Sequence, residues 1–163
     1  MKKVVCISGT NTTRNAAAAE ALRDALVEKG QRVLITRFTD PLEDLCKRWF
    51  DWDGKKDQSG RSLLNCIGDD IIRGEDPDFW VRFTFRLLGM ICDEWDYAII
   101  PDCRFANEVV LDWGWPAVHI QAGPNAVSGL EHIPVSAIWK GADWDVNGLA
   151  RAILNEDTDK NLS

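Results

Sequence analysis

Apolar runs and helical spacings alternate along the chain. Val4 to Ile7 is apolar and mostly β-branched, the pattern of a buried strand. Ser8 to Asn15 is polar. Beyond it Leu22, Ala25 and Leu26 recur at helical spacing up to Gly30, a good helix stop. Val33 to Ile35 predicts a second strand, and a β–loop–α–β start predicts a parallel sheet with a right-handed crossover. Asp40 is placed to cap a helix with Pro41 at its first position and Leu42, Leu45, Cys46, Trp49 and Phe50 on its apolar face. The polar, Gly-bearing stretch 51–60 reads as a mobile lid or as a plain connector. Another helix opens at Gly60 and runs to Gly68, and Ile71 to Arg73 lead into a turn at 74–78. Asp78 to Trp95 is the strongest helical signal, with Trp80, Phe83, Leu87, Leu88, Ile91 and Trp95 as its stripe. Tyr97 to Ile100 predicts a fully buried strand that ends at Pro101, which has no N–H for a ladder. Ala117–Ile120 and Val135–Ile138 read as further strands, Gly148–Leu154 as a closing helix, and the tail from Asn155 as frayed. The alternation predicts one α/β domain over 1–163, three αβα layers around a parallel sheet of about five strands.

Charge narrows the partners. The net charge of -7 and a pI of about 4.8 argue against a general nucleic-acid surface, though not against a small phosphate ligand held by a local basic cluster. Five cysteines without a C-x-x-C pair, and two histidines, give no zinc framework. Cys6, Cys66 and Cys92 lie in apolar runs and read as small core residues, His119 as a satisfied sheet residue. Free thiols, no signal peptide and no stretch of membrane-spanning length predict a cytoplasmic protein that does not enter the membrane. Eight tryptophans predict several core or interface anchors and leave a homodimer open.

Candidate chemistry gathers at strand ends, where open α/β sheets bind ligands. Asp102, Arg104, Asn107 and Glu108 follow the third strand. They suit an anionic ligand with a metal, or equally an Asp cap, an Arg–Glu pair on the following helix and a solvated turn. The loop Gly9, Thr10, Asn11, Thr12 and Thr13 precedes a helix N-terminus, which favours anion contact, the alternative being a Thr-capped helix with no ligand. Counted from Gly9, a P-loop would need Gly, Lys and Ser or Thr at 14, 15 and 16, where the chain has Arg14, Asn15 and Ala16. Arg14 is the substitute charge. Arg61 and Asn65 share a helix face that meets a ligand or simply solvent. Arg82 and Arg86, one turn apart, need an anion or the acidic side chains of Asp78 and Glu75.

Three segments together resemble the phage and bacterial deoxynucleoside monophosphate kinase family, a branch of the P-loop nucleoside monophosphate kinase fold. T-D-P-L-E-D-L at 39–45 is similar to the family's D-P-L-K segment. G-R-S-L-L-N-C-I-G-D-D-I-I-R-G-E-D-P-D-F-W-V at 60–81 is similar to its G-R-x-x-L-Q-x-L-G-T-D-x-x-R…F-W segment. I-I-P-D-C-R-F-A-N-E at 99–108 is similar to its D-V-R-F-x-N-E segment. The resemblance implies phosphoryl transfer from ATP, with Mg²⁺, to a (deoxy)nucleoside monophosphate or other phosphorylated small molecule. It implies Asp102 near the metal and Arg104 facing the phosphoryl oxygens. Arg61 and Asn65 would contact the monophosphate, Asp40 would border its pocket, and Arg73, Arg82 and Arg86 would add positive potential. The chain departs from the family's G-K-x-x-[AS]-G-K-D-T loop, with G-T-N-T-T-R-N-A-A in its place. Loss of that Lys predicts a weak kinase, one with a rebuilt loop, or a relative that binds nucleotide without turnover.

Two other classes compete. The Ser8–Thr13 loop, S-G-T-N-T-T, also resembles the flavodoxin phosphate loop, which implies bound FMN and a yellow protein. A nucleotide-fold scaffold used only for protein contact predicts no ligand-dependent thermal shift.

Overall fold

The computed structural model describes residues 2–109, 114–139, 141 and 145–159. Five strands, β1 (Lys3–Ser8), β2 (Val33–Ile35), β3 (Tyr97–Cys103), β4 (Ala117–Ala122) and β5 (Ala137–Trp139), form one sheet. Its order is β2-β3-β1-β4-β5, and every neighbouring pair is parallel. Parallel strands need crossovers, and the helices that supply them cover both faces. Helix α1 (Thr12–Val27) and α6 (Val146–Asp159) pack on one face with Val5, Ile7, Tyr97 and Ile99. Helices α2 (Asp40–Trp49), α3 (Gln58–Asn65) and α4 (Phe79–Met90) lie on the other, over Val4, Cys6, Ala98 and Ile100, and the short helix α5 (Ala106–Val109) follows β3. Alternate residues of β1 and β3 thus feed separate apolar layers, as the two-residue strand period requires.

The sheet order separates two readings of the first loop. Flavodoxin-type sheets run 2-1-3-4-5. Here β3 lies between β2 and β1, so the flavin reading is not favoured.

Several elements depart from expectation. β3 does not stop at Pro101 but runs on to Cys103. It accommodates the missing N–H with a bulge: Cys6 pairs with Ile100, yet Ser8 pairs with Cys103, so three steps on β3 match two on β1. The extra residue flips the alternation, and Cys103 joins the same apolar layer as Ile100. Thr39, not Asp40, sits at the N-cap of α2. Asp40 turns back instead, its Oδ2 accepting the Arg37 N–H at 2.9 Å. Trp49 is 78% exposed and Phe50 is exposed, because only Leu42 and Cys46 of α2 face fully inward. The segment Cys66–Arg73 continues α3 as a π-helix rather than leaving the helix before Ile71. In α4 the fully buried positions are Trp80, Val81, Thr84, Phe85 and Leu88, whereas Phe83, Leu87 and Ile91 are exposed. Cys66 is exposed and Cys92 half-buried, while Cys6, Cys46 and Cys103 are buried. α6 begins at Val146 and runs through Asp159.

Buried tryptophans find hydrogen-bond acceptors, as their N–H groups require. Trp80 Nε1 donates to the Gly68 carbonyl at 3.3 Å, Trp95 Nε1 to Leu88 at 3.1 Å, and Trp52 Nε1 to Lys55 at 3.0 Å. Trp113 and Trp144 lie outside the described residues. Among the described residues no helix is long and apolar enough to cross a membrane.

The N-terminal edge of the sheet is clamped by charge. Arg32 Nε and Nη2 donate to the two oxygens of Asp96 at 2.9 and 2.7 Å, and the Arg32 N–H adds a third bond. This guanidinium holds the Asp96 carboxyl well below the usual carboxylate range. A depressed folded pKa gives stability above the unfolded value and loses it as pH falls below about 4. Asp96→Asn is therefore expected to flatten the acid limb: its urea midpoint falls less than the parent's between about pH 4 and pH 2. Parallel acid limbs would contradict this.

Candidate nucleotide cleft

At the C-terminal ends of β1 and β3 the chain opens into a cleft of about 700 Å³. The β1–α1 loop forms one wall. It is short: β1 ends at Ser8, and α1 already begins at Thr12. Asn11 caps the helix, its Oδ1 accepting the Arg14 N–H at 2.9 Å. Thr10, Thr12 and Thr13 line the cleft. N–H groups of a first helical turn have no intrahelical partner, and the positive end of the dipole lies there. This wall therefore favours an anion.

Asn15 stands where a P-loop carries its Lys, and it is 3% exposed. Its Nδ2 donates to the Gly9 carbonyl at 3.1 Å, which sets the amide orientation, because Oδ1 facing that carbonyl would be repelled. Asn15 ties the helix down to the loop and brings no charge to the cleft.

The opposite wall is the β2–α2 loop, with Arg37 and Thr39. Asp102 holds this loop in place. Its Oδ1 accepts the Phe38 N–H at 3.0 Å, and its Oδ2 accepts the Thr39 N–H and Thr39 Oγ1, each at 3.1 Å. Asp102 lies in the irregular step of β3 between Ile100 and Cys103, beside that loop. Burial pushes the Asp102 pKa up, against the lowering effect of these three donors.

Three cations line the cleft: Arg37, Lys56 and Arg104. Lys56 comes from the 51–60 segment, which is anchored by Trp52, and its Nζ sits 2.5 Å from Glu43 Oε1. The Arg104 side chain is 45% exposed and lies over the Phe105 ring at 5.4 Å, with its Nη2 4.0 Å from Asp69 Oδ1.

Beside the cleft is a buried charge cluster. Glu108 is 1% exposed and accepts from Arg73 Nη2 at 2.5 Å, from the Arg104 N–H at 2.6 Å and from the Phe105 N–H at 3.1 Å. Burial raises the Glu108 pKa, opposed first by the Arg104 N–H and then by Arg73. Arg73 also pairs with Asp69 at 3.2 Å and covers the Phe105 ring at 4.3 Å. Below β4, His119 is a satisfied sheet residue. Its Nδ1 lies 3.0 Å from the Pro134 carbonyl, which can only accept, so Nε2 is left to accept from Ser8 Oγ at 2.8 Å. Burial lowers its pKa.

Of the residues singled out in the sequence, Gly9, Thr10, Thr12, Thr13, Asp102 and Arg104 converge on the cleft. Arg14 turns toward β4, where a Cβ on Gly123 (φ +110°) would lie 2.6 Å from Arg14 Nη1. Asp40 faces a different pocket, behind the β2–α2 loop. Arg61 and Asn65 lie on an exposed part of α3 and are absent from the cleft lining. Arg73 is engaged by Glu108 and Asp69, and Arg82 by Asp76 rather than by Asp78 or Glu75. Asp78 instead accepts from Asn107 Nδ2 at 2.7 Å. Arg86 is exposed. The sequence reading missed Arg37 and Lys56. Arg37 was findable from its place just after β2, and Lys56 only from an isolated Trp in a polar loop.

Among the described residues no three His, Cys, Asp or Glu side chains converge as a metal cage. Mg²⁺ keeps several waters and is commonly held by one or two carboxylates plus substrate phosphates. Asp102 alone, with both oxygens engaged by the β2–α2 loop, does not fit a resident Mg²⁺.

Topology and cleft together define a P-loop kinase-like fold. Matching solved structures include Mycobacterium tuberculosis APS kinase CysC, as a Cys556Ala mutant, at TM-score 0.51 and 12% identity over 96% of this chain and 98% of that one. The same APS kinase in complex with AMPPNP and APS matches at TM-score 0.50 and 11% identity, over 94% and 96%. The crystal structure of APE1195 matches at TM-score 0.50 and 9% identity, over 97% and 96%. No protein-family model and no curated protein sequence matches the chain.

Proposed function

We propose that this chain is a kinase-fold nucleotide-binding protein that takes a (deoxy)nucleoside monophosphate and transfers phosphoryl groups from ATP slowly or not at all. The observation that carries the reading is the cleft, where Arg37, Lys56 and Arg104 face the first turn of α1 across the rim of the sheet. Three cations and a helix N-terminus suit a dianionic phosphate. The sequence segments that resemble the deoxynucleoside monophosphate kinases favour a monophosphate, and the AMPPNP and APS bound by the structural neighbour are in keeping with a nucleotide.

The same cleft argues for weak turnover. Phosphoryl transfer rests on charges preorganised around the moving group. The position of the P-loop Lys is held by Asn15, buried and bonded to Gly9. Helix α1 starts so soon after β1 that the intervening loop is only Gly9, Thr10 and Asn11. Arg14, the one nearby substitute, lies against Gly123. ATP would rely on the remaining cations, Arg37, Lys56 and Arg104.

The test is a thermal-shift panel of deoxynucleoside monophosphates and ATP with Mg²⁺, followed by a product assay. Stabilisation by monophosphates with little or no product is expected. A panel without any shift would sink the proposal. Arg37→Ala and Arg104→Ala are each expected to weaken monophosphate binding about tenfold, the worth of one charge-assisted contact. Calorimetric titration measures this, and unchanged affinity in both variants would place the phosphate elsewhere.

A further inference from the structure

We propose that the chain carries a second ligand site, a pocket of about 450 Å³ between β2, α2 and α4 that takes a small organic cation with a flat apolar body. Its walls are apolar: Leu34 and Ile35 from the edge strand, Pro41 from α2, Phe83 and Leu87 from α4, and Ile91 at the C-cap of α4. The last three are 39%, 45% and 43% exposed, so this side of α4 is left uncovered by the fold.

The polar groups define the ligand. Thr84 lines the pocket and is 3% exposed, yet its Oγ1 has no hydrogen-bond partner among the described residues. A buried hydroxyl without a partner is costly, and a ligand group that bonds to it removes the cost. Asp40 and Asp44, one helical turn apart on α2, line the same pocket. Asp40 uses Oδ2 on the Arg37 N–H. No ion pair to Asp40 or Asp44 occurs among the described residues. Two carboxylates repel a phosphate or carboxylate ligand and attract an ammonium or amidinium. Apolar walls with a few placed polar groups suit an aromatic body.

This pocket and the cleft are opposite in sign and share one wall. Along the β2–α2 loop, Thr36 and Asp40 face the pocket, whereas Arg37 and Thr39 face the cleft. The inference stands on its own geometry and does not need the nucleotide reading.

Amide NMR titration of the full chain tests it with three probes of one shape: tryptamine, indole-3-propionate and 3-methylindole. Tryptamine is expected to shift amides in 34–44 and 83–91 saturably, while indole-3-propionate at equal concentration leaves them unmoved. Asp44→Asn weakens tryptamine about tenfold. Thr84→Val raises the melting temperature of the free protein and weakens tryptamine severalfold. The proposal is overturned if these segments do not respond to tryptamine. It is overturned equally if all three probes bind alike, or if both variants bind tryptamine as the parent does. Shifts along α4 that follow protein concentration without any probe would assign the face to a second copy and overturn it too.

Discussion

Replacing Glu108 with alanine is expected to lower the free energy of unfolding by about 3–5 kcal/mol, the usual cost of orphaning one half of a buried ion pair. Glu108 is 1% exposed and the Arg73 side chain 10% exposed, so the guanidinium left behind cannot turn to water and keeps only the partly exposed Asp69, at 3.2 Å. Two backbone N–H groups, of Arg104 and Phe105, lose their acceptor at the same time. Urea unfolding measures the loss, and a change under about 1 kcal/mol would refute this account of the cluster. Glu108→Gln keeps the shape and an acceptor, and is expected to cost less. It should also change the pH profile. Because burial raises the folded pKa of Glu108, the folded state holds that proton more tightly than the unfolded chain does. Stability from this group is therefore full below the unfolded value of about 4.5 and is lost as pH rises through the folded value. Asp102, also raised by burial, adds a slope of the same sign. The glutamine variant keeps only the Asp102 part, so its stability falls less steeply over that window.

Gly9→Ala is the second large effect. The new Cβ would lie 2.4 Å from Asn15 Oδ1 and 2.5 Å from the Ala122 carbonyl oxygen. The first neighbour is a buried side chain and the second is sheet backbone, so neither yields cheaply. A loss of about 1–3 kcal/mol is expected, with monophosphate binding lost as the loop is pushed into the cleft. Gly89→Ala is the control. Its Cβ would meet only the Trp115 ring at 3.7 Å, an ordinary contact, so alanine there should stabilise α4 by about 0.5–1 kcal/mol. Equal melting temperatures for the two variants would show that close approach at Gly9 is not what requires glycine.

The sequence exposed the sheet better than the site, and the reason is burial on both faces. Val4–Ile7, Val33–Ile35 and Tyr97–Ile100 are apolar throughout because helices cover each side, and such runs are readable without knowing their neighbours. Helix α4 was readable as a helix but not as an orientation. It carries Phe79, Trp80, Val81, Phe83, Phe85, Leu87 and Leu88, apolar nearly all round, so spacing could not say which flank meets the sheet. Of the candidate cleft, Asp102 and Arg104 were legible because they come directly after the apolar run Tyr97–Ile100. Lys56 was not legible, since it reaches the cleft only because Trp52 is anchored and Glu43 lies near. Arg73 shows the converse: it looked like a charge for a ligand, but Glu108 lay 35 positions away in sequence and no periodicity joins them.

The irregularity at Pro101 makes the strand tolerant of one loss there and not of two. Side chains of a strand alternate, yet Ile100 and Cys103, three positions apart, share one layer because a surplus residue stands between them. Deleting Pro101 alone would restore the even beat: the residues at 100 and 103 would stand two positions apart and stay in the same layer. Removing Asp102 as well would make them neighbours on opposite faces and turn the thiol of Cys103 out of that layer. Descendants of this chain can therefore shed a single residue at this spot and keep the inside and outside of the rim as they are.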